Sequence, residues 1–299
     1  MTSSSTREFP VQQDMPELAT KYFGNEVAPV RVEFGGASHP GLVRTNNEDH
    51  FAVVRRYRSR EVLLTNMPPD AYPARQDNVY ALAVADGVGG AAFGELASEL
   101  ALREAWELTG KAFKWGFNVS EEEAKELLEG INVFVQLIHQ RIKSEATQQY
   151  RGMGTTLTGA LTVGTDVFVV HVGDSRAYLH RQGELHQITR DQTLAELMVT
   201  KGMISSVDQA AEKFRHTLLS CLGGNFAEVD VETHHLILED ADQLLLCTDG
   251  LTDMVDDAAI AEILQQQKSP QSLCDEFIQA ALAAGGRDNV TVIMGRYAF

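Results

Sequence analysis

Residues 157–180, LTGALTVGTDVFVVHVGDSRAYLH, decide the fold. Two short apolar runs, 157–163 and 167–172, flank the turn signal Gly164-Thr165-Asp166, which predicts a β-hairpin. Gly173-Asp174 then turns the chain into a third run, 177–180, read as another strand. Hairpins join antiparallel neighbours, so the sheet that begins here is antiparallel.

Upstream the period changes. Ser120 followed by Glu123 forms a capping box, and Leu127, Ile131, Phe134, Ile138 and Ile142 recur at helical spacing, predicting an amphipathic helix to about 149. A helix is expected over 93–108. Residues 79–85 are apolar and end at Asp86-Gly87, the pattern of a buried strand. Residues 57–78 carry Pro68, Pro69 and Pro73 and read as a surface excursion from a sheet. Before it, the pair Gly35-Gly36 and the turn at His39-Pro40-Gly41 lead into 42–54, a loop followed by a strand ending near Arg55-Arg56. Downstream, 191–226 shows no period and is expected to form a flap. Strands are expected at 236–238, 243–247 and 289–294. Ser269-Pro270 is an N-cap with proline in the first turn, and Gly285-Gly286 ends that helix. Strands in hairpins with long helices between them predict an α+β protein, antiparallel sheets covered by helices. One domain is expected over 31–299, after a flexible Ser/Thr-rich tail at 1–30.

Composition excludes several classes. Among 299 residues, 44% are apolar, enough for one large core, yet no run approaches the roughly 18 apolar residues of a membrane span. A formal charge of −17 argues against nucleic acid, which is bound by neutralising phosphates with Lys and Arg. Cys221, Cys247 and Cys274 show no C-x-x-C spacing, so neither a disulfide framework nor a zinc knuckle is expected, and a cytoplasmic setting fits.

One arrangement recurs. An apolar strand ends in an Asp at a glycine turn at Asp86-Gly87, at Gly173-Asp174 and at Asp249-Gly250, and Asp288 mirrors it where a strand begins. A single Asp-Gly is explained by turn chemistry alone. Four of them fed by apolar strands, with the acidic pair Glu48-Asp49 a few residues after Arg44, are not. Carboxylates gathered at one sheet edge raise each other's pKa unless a cation sits among them. Oxygen ligands without Cys or His select Mg²⁺, Mn²⁺ or Ca²⁺ over zinc.

The chain resembles the metal-dependent protein phosphatases, the type-2C serine/threonine class, through six ordered segments: GLVRTNNED at 41–49, ADGVGG at 85–90, GMGTT at 152–156, VGDSR at 172–176, TDGL at 248–251 and GRDNVT at 286–291. The resemblance implies a four-layer α-β-β-α sandwich of two antiparallel sheets flanked by helices, with metals at one end. It implies a protein serine/threonine phosphatase using two Mn²⁺ or Mg²⁺ ions, with a weaker third, and hydrolysis by a metal-bridging hydroxide. On this resemblance Asp86 bridges both metals, Gly87 offers its carbonyl, and Asp249 and Asp288 complete one ion's ligands. Glu48 and Asp49 hold the second ion, Asp174 with Asp249 the third, and Arg44 grips the substrate phosphate. Phosphorylated proteins are the implied substrates and a serine/threonine kinase the implied partner. Two positions depart from the pattern: Val88 stands where some members carry a histidine, and Gln192 where histidine is usual at the start of the flap, so neither receives a catalytic role.

Other readings are weaker. GVGGAA at 87–92 fits G-x-G-x-x-A, but Asp86 would face a pyrophosphate, and about 20 residues on, at 105–108, the chain reads as helix rather than as the end of a second strand. A calcium loop of the D-x-D-x-D-G kind is absent from the sequence. A catalytically inactive member that binds phosphoproteins would betray itself by lost ligands. His234-His235 and Trp106 are read as packing residues.

Overall fold

The computed structural model describes residues 30–59, 61–68, 76–88, 93–112, 120–146 and 152–299. The expected tail at 1–30, apart from its last residue, lies outside them, as do Gly89-Gly90 and part of the 57–78 excursion. The strands are β1 (Arg31–His39), β2 (His50–Ser59), β3 (Gln76–Ala85), β4 (Gly87–Val88), β5 (Gly154–Thr155), β6 (Leu157–Val163), β7 (Asp166–Val172), β8 (Arg176–Arg181), β9 (Glu184–Gln187), β10 (Leu222–Gly223), β11 (Glu232–Ile237), β12 (Gln243–Cys247) and β13 (Val290–Ala298). The helices are α1 (Gly94–Ala112), α2 (Glu121–Glu145), α3 (Leu194–Thr200), α4 (Glu212–Arg215), α5 (Asp249–Thr252), α6 (Asp257–Leu264) and α7 (Pro270–Ala283).

Two five-stranded antiparallel sheets stack, ordered β1-β13-β12-β8-β9 and β11-β7-β6-β3-β2, with a small β10-β5-β4 sheet at one end. The period of two builds the layers. In β12, Leu244 and Leu246 face the other sheet, beside Leu82, Val84, Val169 and Ile293, while Leu245 and Cys247 face α6 and α7 through Ile260, Leu273 and Phe277. On the outer side of the second sheet, Ala97, Leu100, Ile138 and Ile142 of α1 and α2 cover Leu157 and Val172. The four layers are those expected.

Local signals gave the sharpest agreement. Ser120 accepts from the Glu123 amide and the Glu123 carboxylate accepts from the Ser120 amide, closing the capping box that starts α2. Ser269 caps α7, with Pro270 in its first turn. The flap holds α3, a 3-10 turn at Val207–Gln209 and α4.

The sequence reading missed β1, and Gly35-Gly36 lies inside it. A Cβ on Gly35 would stand 2.3 Å from the Pro270 carbonyl carbon, so the glycine admits the first turn of α7 onto the strand. Gln271 seals that contact from both sides, accepting from the Gly36 amide and donating to its carbonyl. Gly35→Ala is therefore expected to destabilise by about 2 kcal/mol or more, because the obstructing atoms are backbone. A fall of several degrees in Tm would register it; an unchanged Tm would show that α7 shifts freely.

Candidate metal centre

Strand pairing brings the acidic turns together. His50 pairs with Ala85, which sets Asp49 beside Asp86. Cys247 lies between Arg176 and Val292, which sets Asp249 opposite Asp174 on one side and, on the other, at the start of β13, two residues from Asp288. All five aspartates therefore stand at one edge of the sandwich.

Neutral donors fix the framework around them. The Asp86 amide donates to Thr156 Oγ1 at 2.9 Å, and the Thr156 amide and Thr155 hydroxyl donate to the Asp86 carbonyl at 2.9 Å each. Thr248 Oγ1 donates to Asp49 Oδ2 at 2.8 Å and accepts from the Thr291 amide at 3.0 Å. Asn289 staples the incoming loop, its amide reaching the Pro40 and Asn46 carbonyls while its oxygen accepts from the Glu48 amide. A Cβ on Gly87 would lie 2.3 Å from the Gly94 carbonyl carbon, and one on Gly94 would lie 2.6 Å from Glu48 Oε2. These two glycines let α1 start against the centre.

The electrostatics are those of crowded acids. Removal from water, then Asp49, Asp249, Asp174 and Asp288, hold the Asp86 pKa well above the usual range. Burial and Asp249 do the same to Asp174. Burial pushes Asp49 up to about 7 against the opposing hydrogen bonds of Thr291 and Thr248. Glu48 is raised by burial and eased by Arg44. Asp49 is 5% exposed, and its Oδ1 is buried with no hydrogen-bond partner. An orphaned carboxylate oxygen among other carboxylates fits a hard cation, as does the all-oxygen donor set.

Arg44 projects from the 41–49 loop, whose Leu42 amide donates to the Gly286 carbonyl at 2.7 Å. Its Nη2 donates to Asp288 Oδ2 at 2.6 Å, so the arginine and the aspartate form one unit at the rim. Ser175 and Arg176 shape the turn and flap root: Ser175 bonds Thr156, and Arg176 forks onto Asp191 with two 2.8 Å bonds. Gln192 accepts from the Gly173 amide and donates through Nε2 to the Asp230 carbonyl, clamping both flap ends to the turn before Asp174. His234 and His235 bond Glu232 and Asp166, away from the aspartates, as packing residues do.

Two residues escaped the sequence reading. His216 from the flap and Asp253 place ligand atoms with Asp249 within 4.8 Å of one another. Asp249 holds the His216 pKa up to about 9, and burial raises Asp253 to about 6. Asp253 had a signal: it follows Asp249 by four residues, one helical turn. His216 had none, lying in an aperiodic segment.

The fold and this edge define a hydrolase that would act on an oxyanion substrate through hard divalent cations. The protein phosphatase 2C family model matches residues 69–284. The serine/threonine phosphatase stp of Listeria monocytogenes serotype 4b (strain F2365) is 35% identical over 85% of this chain and 91% of that protein. The catalytic domain of the serine/threonine protein phosphatase PstP, solved with two manganese ions, aligns at a TM-score of 0.68 and 32% identity, covering 91% of this chain and 100% of that domain. The S. agalactiae serine/threonine phosphatase aligns at 0.72 and 27%, covering 89% and 99%. The chain belongs to the protein phosphatase 2C family, and is a metal-dependent serine/threonine phosphatase. No ligand position that the resemblance implies is lost, which leaves no support for an inactive, phosphoprotein-binding member.

Proposed function

We propose that Asp86, the Gly87 carbonyl, Asp249 and Asp288, with Glu48 and Asp49, hold two Mn²⁺ or Mg²⁺ ions, and that Asp174 with Asp249 holds a weaker third. The observation that carries this is the gathering of carboxylates around the orphaned Asp49 Oδ1. When bound, such ions lower the pKa of a water and offset charge developing on phosphoryl oxygens.

The chain's own groups prepare the rest. Thr248 fixes Asp49 by one oxygen and leaves the other for a cation. Arg44, anchored on Asp288 by one amine, keeps further donors for phosphate oxygens, a task suited to a planar fork. His216 ties the flap to the same edge as Asp249 and Asp253. Val88 has no titratable atom and Gln192 is spent on the flap clamp, so neither moves a proton. Residues 31–299 act as one catalytic domain.

The substrates are phosphoserine and phosphothreonine proteins, and the net charge of −17 favours those with basic flanks. The 57–78 excursion and the flap would choose among them. Such substrates imply a serine/threonine kinase as functional partner. Three buried free cysteines suit the reducing cytoplasm, and among the described residues no helix is long and apolar enough to cross a membrane.

Phosphate release from a phosphothreonine peptide tests this directly. Release is expected with Mn²⁺ and Mg²⁺ and none with a chelator. Folded protein inert with both metals would overturn the reading.

A further inference from the structure

His216, Asp249 and Asp253 each place a ligand atom within 4.8 Å of the others. Two of the three are fixed by α5: the Asp253 amide donates to the Asp249 carbonyl at 2.8 Å across one turn, which sends both carboxylates to the same side. His216 comes from the flap, at the end of α4. Its Nδ1 lies 3.6 Å from Asp253 Oδ2 and 3.9 Å from Asp249 Oδ2. Both separations are too long for hydrogen bonds, yet fall within the roughly 3–4.2 Å that separates two donors sharing an ion at about 2.1 Å.

Asp174 points to a cation independently. It is 8% exposed, and among the described residues its carboxylate has no hydrogen bond or ion pair. Burial, then Asp249, Asp191 and Asp253, raise its pKa while His216 opposes them, so it stands within the field of the other three. A buried carboxylate that no donor answers, opposite Asp249 in the β8–β12 pairing, backs the group from inside. The outer side is open, since His216 and Asp253 have 42% and 40% of their side chains exposed. The imidazole then sets the preference. Oxygens alone suit Mg²⁺, whereas a nitrogen among carboxylates suits Zn²⁺ or Mn²⁺.

We propose that His216, Asp249 and Asp253, backed by Asp174, bind a divalent transition ion, Zn²⁺ or Mn²⁺ in preference to Mg²⁺, and that this ion latches the flap onto α5. The inference rests on the reading of Asp174 and Asp249 as ligands of a third ion, and adds the flap nitrogen that selects the metal and couples it to the flap. The ion takes the place of the proton that Asp249 otherwise holds on the ring. A neighbouring tie between α4 and the edge adds little, because Arg287 and Glu212 meet at 3.8 Å with both side chains 72% exposed.

The test is a Zn²⁺ titration of the full chain, carrying ¹⁵N-labelled histidine, in excess Mg²⁺. His216→Gln assigns the His216 ring resonances. A saturable Zn²⁺ shift of His216 is expected where Mg²⁺ alone gives none, and Asp253→Asn should weaken it about tenfold or more, since even an outer partner of a metal ligand is worth that much. Amide hydrogen exchange over residues 212–217 should slow with Zn²⁺ in the parent and not in His216→Gln. A His216 signal unmoved by Zn²⁺ up to about 1 mM, the weak end of specific affinities, would overturn the proposal. So would equal Zn²⁺ affinity in the parent and Asp253→Asn, a comparison that still decides if His216→Gln fails to fold. Phosphate release from a phosphothreonine peptide in Mg²⁺, by the same preparation, separates the two readings: release with an unmoved His216 overturns this inference alone.

Discussion

Asp86→Asn is expected to abolish phosphate release, by about 10³-fold or more, without loss of the fold. The side chain stands where the electrostatic influence of Asp49, Asp174, Asp249 and Asp288 converges. An amide keeps its size but offers one weakly coordinating oxygen in place of a carboxylate that can join two ions. Losing about 4 kcal/mol of transition-state stabilisation corresponds to about 10³ in rate. The scaffold does not need the charge: the main chain of Asp86 is held by Thr155 and Thr156, and these bonds survive the substitution. In chelator the variant should be at least as stable as the parent at pH 7, because it removes a carboxyl that the fold keeps from ionising. Rate and stability moving in opposite directions separates a lost ligand from a misfolded protein. A variant retaining a tenth of the parental rate would remove Asp86 from the centre.

What the sequence revealed follows from how far each signal reaches. The capping box of α2 and the Ser269-Pro270 start of α7 are decided within four residues, and both appear as read. Strands β6, β7 and β12 are decided by apolar runs between turns, and their bounds hold to within a residue. The strand β1 was hidden because Gly35 answers to Pro270, a contact 235 residues away that leaves no local trace beyond two glycines. The aspartates could be picked out because each ends or begins an apolar run, and antiparallel pairing then forces those ends to one edge. Thr248 and Asn289 sit inside the recognised motifs, but their work, holding Asp49 and the 41–49 loop, depends on partners about 200 residues or more distant. His216 reaches the edge only because the flap folds over it. Local chemistry and strand ends are written in order along the chain; what crosses between layers is not.

The second large effect is a pH-dependent instability of the metal-free protein that divalent cations remove. Burial raises Asp49 from 3.8 to about 7 in the folded chain, while the unfolded chain restores the ordinary value. A raised folded pKa gives a contribution fully present below about pH 4, lost progressively as pH rises, and gone above about 7, where the charge must be buried. Over that window Asp49 alone costs about 4 kcal/mol at 1.36 kcal/mol per unit. Asp86 and Asp174 shift the same way, but each proton taken up relieves its neighbours, so the three do not add. Urea denaturation in chelator between pH 4.5 and 7.5, parent against Asp49→Asn, isolates the effect, since Asn can still accept from Thr248 and carries no charge. The variant should overtake the parent as pH rises. With Mn²⁺ at about 100 times its Kd the parent should regain about 2.7 kcal/mol at pH 7.5, and less near pH 5, where protons compete for the same oxygens. If the two proteins run parallel across the whole range in chelator, Asp49 ionises freely in the fold and the crowding of acids at this edge is not what cations relieve.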